Sequence, residues 1–377
     1  MHGTRLTLGA SVSENIPMSA GLRKIHRYVG LALLALWLVQ VVTGVLMVFH
    51  WEIEDALVAG SAAPLYPKVL DARLAALTSE EHGRRVTSIY PTGGTSGRFD
   101  VFLETDRGVT DIARIDGVGT VLARWTSAGD PGLGGLIRAA TVLHQSLFAG
   151  DGGRLLLGVS GIILLSNIII GVRLAWPRGR QWAHAMWPVG RASGAARWYA
   201  WHRAAGLWLC VPVFLMVGSG ILLALNDPLE NWLHAAFVPP TVAAPDQASM
   251  ATIGAGQAIE VALARFPGAE FSGLRMPQMQ QPWYRVRVRQ TAEPRRIFGT
   301  TAVYVSTADG RLLAVEDALA APFARSALDC AYPIHTGEIA GLAGRVVVFT
   351  AGVLLIISIG CGSALWWSRR RPARFRA

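Results

Sequence analysis

The sequence predicts a membrane-embedded all-α four-helix bundle with an internal duplication, carrying two small α+β domains outside the membrane. Three observations lead there: four long apolar runs, two sets of matched positions within the chain, and two polar connections that each read as a helix followed by strands. Hydrophobic residues make up 52% of the 377-residue chain, charged residues 16%, and the mean hydropathy is +0.37. That balance is too apolar for an ordinary soluble protein of this length.

The apolar runs are Leu22–His50, Leu155–Trp176, Ala205–Leu225 and Val346–Trp367. Each is long enough to cross a hydrocarbon core of about 30 Å, which takes roughly 20 helical residues. Lys and Arg near span ends stay on the cytoplasmic side. Arg23, Lys24 and Arg27 precede the first run; Arg178, Arg180, Arg191, Arg197 and Arg203 fill the second connection without an acidic residue; Arg369, Arg370, Arg371, Arg374 and Arg376 close the chain. Both termini and the second connection are therefore expected in the cytoplasm.

The expected segments follow. They are a tail at 1–21, a first span at 22–50, an outer domain at 51–135, an outer segment and second span at 136–176, an inner loop at 177–200, a third span at 201–226, a second outer domain at 227–334, a fourth span at 335–368 and a basic tail at 369–377. The net charge of +10 follows from this layout and implies contact with membrane lipid, not nucleic acid. The first run is too long for a cleaved leader and is read as a retained anchor.

At an offset of 176 residues, His26, Arg27, Gly30, Leu31 and Gly44 fall on His202, Arg203, Gly206, Leu207 and Gly220. At an offset of 191, His144, Gly153, Arg154, Gly171 and Trp176 fall on His335, Gly344, Arg345, Gly362 and Trp367. The first and third spans are copies, and so are the second and fourth. In the first outer connection a helical stretch near 70–83 precedes strand-like runs at 98–104, 109–115 and 120–125. In the second, a helical stretch near 251–266 precedes runs at 284–290, 301–306 and 311–315.

Four of the nine histidines are fixed in pairs by the repeat. A pseudo-twofold axis along the membrane normal sets His26 opposite His202 at the inner face, and His144 opposite His335 at the outer face. Two imidazoles at one depth, with a gap between them, are what bis-histidine ligation of a heme iron requires. No CxxCH stretch offers covalent attachment, so two noncovalent b-type hemes are expected, with His26, His202, His144 and His335 as axial ligands to iron. Cys210, Cys330 and Cys361 form no expected disulfide.

Gly30 and Gly206 lie one turn beyond their histidines, where a missing side chain leaves room for a flat ring, with Gly44 and Gly220 five turns on. Arg27, Arg203, Arg154 and Arg345 are placed to neutralise propionates. His50 stands at the outer end of the first run with Asn226 as its counterpart, a ligand or site-lining candidate that symmetry does not support. The plainer readings are that interfacial His and Arg anchor a helix and that Gly lets membrane helices pack closely.

The stretches "KIHRYVGLALLALWLVQVVTGVLMVFHWEIE", "RWYAWHRAAGLW" and "PIHTGEIAGLAGR", the last followed by an apolar run and a basic tail, resemble the PepSY-associated transmembrane family. Within it they look most like the inner-membrane ferric-siderophore reductases of the FoxB type, which act on ferrioxamine. The resemblance covers about 21–371. It implies a diheme b-type membrane protein with PepSY-like periplasmic domains, and its recurrent histidines match His26, His144, His202 and His335, with His50 also present.

On that reading electrons enter at the inner heme, pass to the outer heme and reduce chelated Fe³⁺ in the periplasm. Hard oxygen ligands such as hydroxamates hold Fe²⁺ less tightly, so iron is released. The donor is expected to be quinol, a flavin or a cytoplasmic reductase. Arg285, Arg287 and Arg289 share a strand face near Met276, Met279 and Trp283 and are candidates for lining the acceptor site. Two other functions compete: an iron-siderophore transporter, against which stands the scarcity of acidic residues in the spans, and a non-catalytic sensor or regulator acting through its outer domains.

Overall fold

The computed structural model describes residues 16–80, 83–105, 109–126, 132–188, 192–240, 253–294 and 297–370. Its elements run in chain order as two similar series. The first is α1 (Ile16–Ala32), α2 (Leu34–Met47), α3 (His50–Leu57), α4 (Pro67–Glu80), β1 (Arg84–Pro91), β2 (Arg98–Thr105), β3 (Thr110–Asp116), β4 (Val121–Thr126), α5 (Leu133–Ser146) and α6 (Gly150–Ala175). After α7 (Trp182–Met186), the second is α8 (Gly194–Ala224), α9 (Asn226–Trp232), α10 (Ala255–Arg265), β5 (Glu270–Arg275), β6 (Trp283–Arg289), β7 (Thr301–Ser306), β8 (Leu312–Glu316), α11 (Phe323–Thr336) and α12 (Gly341–Arg370).

The structure corrects the expected fold class in two respects. The expected four-helix bundle of continuous spans is not what forms. Only three helical segments among the described residues are long and apolar enough to cross a membrane unbroken: α6, α8 and the 33 residues Glu338–Arg370 that end in α12. The first run is instead α1 and α2, bent by 64° at Leu33. The ψ of Leu33 is 8°, outside the helical range, although Leu33 N still donates to Val29 O and Trp37 N to Leu33 O.

The second correction concerns the outer domains. The strands form one eight-stranded antiparallel sheet, ordered β4-β3-β2-β1-β5-β6-β7-β8, rather than two separate small domains. Two four-stranded meanders meet where β1 pairs with β5, Ser88 opposite Arg275 and Ile89 opposite Leu274. A single hydrophobic core crosses this seam: Leu70, Leu74 and Leu77 of α4 and Ala258, Ile259 and Ala262 of α10 cover Ile89, Val101, Leu274, Val286 and Val303. Burying that shared apolar surface favours one body over two, because each half alone would leave a sheet edge and part of its core in water.

Ion pairs fasten the sheet and the helix beside it to the short helices that follow the first and third apolar runs. Arg114 on β3 is 1% exposed and binds Asp100 at 2.8 Å, Asp55 at 3.1 Å and Glu54 at 3.1 Å, the last two on α3 just beyond the first apolar run. In the second half, Arg325 on α11 binds Glu230 on α9 at 2.8 Å and Asp329 at 3.1 Å. Glu54 and Glu230 are themselves matched by the 176-residue offset.

Candidate functional site

Four helices present the paired histidines. His26 lies on α1 and His202 on α8, with ring centroids 6.1 Å apart and planes inclined by 47°. His144 lies in the last turn of α5 and His335 in that of α11, again with centroids 6.1 Å apart, inclined by 42°.

Each ring is held the same way. His26 Nδ1 meets the carbonyl of Asn167 at 3.1 Å, and His202 Nδ1 that of Ser358 at 2.9 Å. His144 Nδ1 meets the carbonyl of Gln40 at 3.0 Å, and His335 Nδ1 that of Met216 at 2.8 Å. A carbonyl only accepts, so Nδ1 carries the proton and donates in all four, which leaves the lone pair on Nε2. A backbone acceptor on Nδ1 is the usual support of a metal-binding histidine.

A glycine stands against each ring. A Cβ on Gly171 would lie 2.8 Å from His26 Cε1, and one on Gly362 3.1 Å from His202 Cε1. On Gly44 and Gly220 it would lie 3.0 Å from Cε1 of His144 and His335. The glycines expected to clear the rings of their own helices thus serve differently. Gly44 and Gly220 receive His144 and His335 from neighbouring helices, a Cβ on Gly30 would lie 3.6 Å from Asn167 Nδ2, and one on Gly206 would meet nothing within 4 Å.

The spacing fits a metal ion between each pair. Two imidazole nitrogens at about 2 Å from a metal put the ring centroids roughly 6 Å apart. A bare ion would lack ligands, since no group of three or more His, Cys, Asp or Glu able to hold a metal occurs among the described residues. Heme iron needs only two axial ligands from the protein, because the macrocycle supplies the other four. A mostly apolar, open cleft of about 480 Å³ is lined by Leu31, Leu34, Trp198, Ser363, Trp366 and Trp367 among others, on the helices that carry His26, His202 and Gly362, without either histidine in its lining.

The arginine candidates are placed less uniformly. Arg345 grips Glu52 with two nitrogens, one at 2.7 Å, and binds the Val48 carbonyl at 3.2 Å; Arg154 pairs with Asp227 at 2.6 Å. Burial works to raise the Glu52 carboxyl, yet the Arg345 hydrogen bonds outweigh it and hold the group below the ordinary carboxylate range. Arg203 donates Nε to the Ala175 carbonyl at 2.8 Å, and Arg27 lies over the Tyr28 ring. Neither Arg27 nor Arg203 pairs with a carboxylate among the described residues, so these two retain donors for an anionic group.

His50 belongs to neither pair. Its Nδ1 meets the Met47 carbonyl of its own chain turn, and its ring packs on Trp51 at 4.6 Å. The basic strand face is largely neutralised: Arg285 binds Glu316 at 3.1 Å and Arg289 binds Glu270. Trp283 is buried against Tyr304, whereas Met279 is exposed. A polar cleft of about 390 Å³ opens between the β5–β6 end of the sheet and the turn after α11, lined in part by Glu270, Arg289, Gln290, Glu293 and Glu338. Glu338 is three residues from His335.

A model of the PepSY-associated TM region matches residues 23–369, nearly the whole chain, from just before His26 to just beyond Gly362. The chain belongs to the PepSY-associated TM region family. It is thus a membrane protein of that family, and the paired histidines all fall inside the matched region. No curated protein matches it.

Proposed function

We propose that this PepSY-associated TM protein is a heme-dependent oxidoreductase of the bacterial inner membrane, which passes electrons through two b-type hemes to reduce ferric iron in a siderophore complex on the periplasmic side. The observation that carries the reading is the twofold recurrence of one arrangement: two imidazoles 6.1 Å apart, Nδ1 of each on a backbone carbonyl, and a glycine at each ring. Structural histidines at a membrane interface have no need of such matched preparation.

Heme supplies one-electron redox chemistry when bound. The chain's own residues do the rest. Backbone carbonyls fix the imidazole tautomer, and the glycines set ring depth. Arg27 and Arg203 are the residues best placed to meet propionates at the inner site. Ferric chelates of the hydroxamate class are the expected acceptors, approaching the outer pair beside the polar cleft near Glu338. The donor is a quinol, a flavin or a cytoplasmic reductase, and both termini face the cytoplasm.

The test is the visible spectrum of the purified protein with heme quantitation. Two hemes per chain are expected, with reoxidation of the reduced protein on adding a ferric hydroxamate; a colourless protein overturns the proposal.

A further inference from the structure

The two halves agree at the histidines, at the carbonyls that hold them and at the facing glycines, and they differ at a buried place that lies between the two pairs. Trp37 on α2 is 6% exposed, and its Nε1–H donates to Ser160 Oγ on α6 at 3.2 Å; Ser160 is 5% exposed. The repeat offsets of 176 and 191 place Val213 and Ala351 at the equivalent positions. Those two lie together in a small apolar cluster with Leu209. The same site is therefore filled by aliphatic groups in one half and by a hydrogen-bonded indole in the other.

Packing alone does not call for the difference. An indole N–H in a membrane interior requires an acceptor, whereas Val and Ala fill the space without one. Position gives the difference a meaning. Trp37 precedes Gly44, which touches His144, by seven residues on one helix; Ser160 precedes Asn167, whose carbonyl holds His26, by seven residues on another. Seven residues are two turns, about 10 Å, and return to nearly the same helix face. The Trp37–Ser160 pair thus stands two turns from the outer pair along α2 and two turns from the inner pair along α6.

Resting on the diheme reading, we infer that Trp37 is an aromatic bridge for electron transfer between the two heme sites, and that Ser160 is the positioning residue that fixes its ring. With heme bound at both pairs, one electron would leave the ferrous iron at one and reduce the ferric iron at the other. The delocalised indole lowers the barrier across a gap that aliphatic side chains would otherwise fill. No bond forms or breaks, the indole is neither oxidised nor reduced overall, and Nε1 keeps its proton.

The experiment uses the full-length protein in liposomes with dithionite trapped inside and ferricyanide outside. Either insertion direction reports the same transmembrane flux. Heme content and the two midpoint potentials are measured in parallel. For Trp37→Leu, ferricyanide reduction is expected to fall several-fold with two hemes per chain and both potentials unchanged, while Trp37→Phe keeps most of the flux. Trp37→Met repeats the comparison should the Leu variant fail to assemble. Unchanged flux in a fully loaded variant overturns the inference, as do shifted potentials or loss of heme in both Leu and Met variants. A wild-type protein that holds no heme would instead overturn the function on which the inference rests.

Discussion

Gly44 lies against the imidazole of His144 so closely that a methyl group on it would come within 3.0 Å of Cε1. Gly220 stands in the same relation to His335. Forcing a methyl into such a contact costs about 1–3 kcal/mol or displaces the ring. On the proposed diheme function, Gly44→Ala is therefore expected to lose the heme held by His144 and His335 and keep the other, halving heme per chain, and Gly362→Ala to do the converse. Heme-to-protein ratios with the two potentials separate these outcomes; full occupancy in both variants would remove the glycines from the site.

His50 and His335 divide the two accounts of the outer site. On the proposed function, His335→Ala is expected to take heme content from two per chain to one. His50→Ala is expected to leave both, since His50 is turned to its own backbone and to Trp51. A loss of heme in His50→Ala would reassign the outer ligand.

Arg114→Ala leaves Asp55, Asp100 and Glu54 gathered without their cation. Removing one partner of a buried ion network costs about 3–5 kcal/mol. A fall in the thermal unfolding midpoint of the whole chain is expected, together with faster proteolysis near α3. A midpoint equal to that of wild type would show that the sheet does not depend on this anchor.

Glu52 yields a pH dependence. Its folded carboxyl lies below the ordinary range because Arg345 binds the ionised form. Its stabilising effect is therefore present above the unfolded carboxylate value and is lost as pH falls through the lower, folded one. The difference in melting midpoint between wild type and Glu52→Gln is expected to be full at neutral pH and to shrink below about pH 4. A pH-independent difference would assign the effect to packing of the side chain instead.

The sequence makes the histidine pairing legible because the duplication repeats the side chains themselves. The groups that hold those rings repeat as well, yet Asn167 matches Ser358 and Gln40 matches Met216, with no likeness between the residues. What is duplicated there is a backbone carbonyl at a given depth, which side-chain comparison does not reveal. The fold shows a similar gap. Six strands follow from alternation and turn residues, whereas β1 and β5 do not. Register shifts at Val86/Ser88 and Phe271/Gly273 interrupt their period, and β5 also contains a glycine. These two strands join the halves, so missing them makes one sheet read as two domains.

That seam says something about how such a chain is put together. β1 and β5 are each the first strand of their meander, they pair antiparallel, and both meanders shift register between first and second strands and again between third and fourth. Equivalent edges meeting antiparallel across a twofold axis form the self-complementary contact that two identical half-length chains would make with each other. Within a single chain the two halves need not stay alike, and one carries an indole where the other carries a valine.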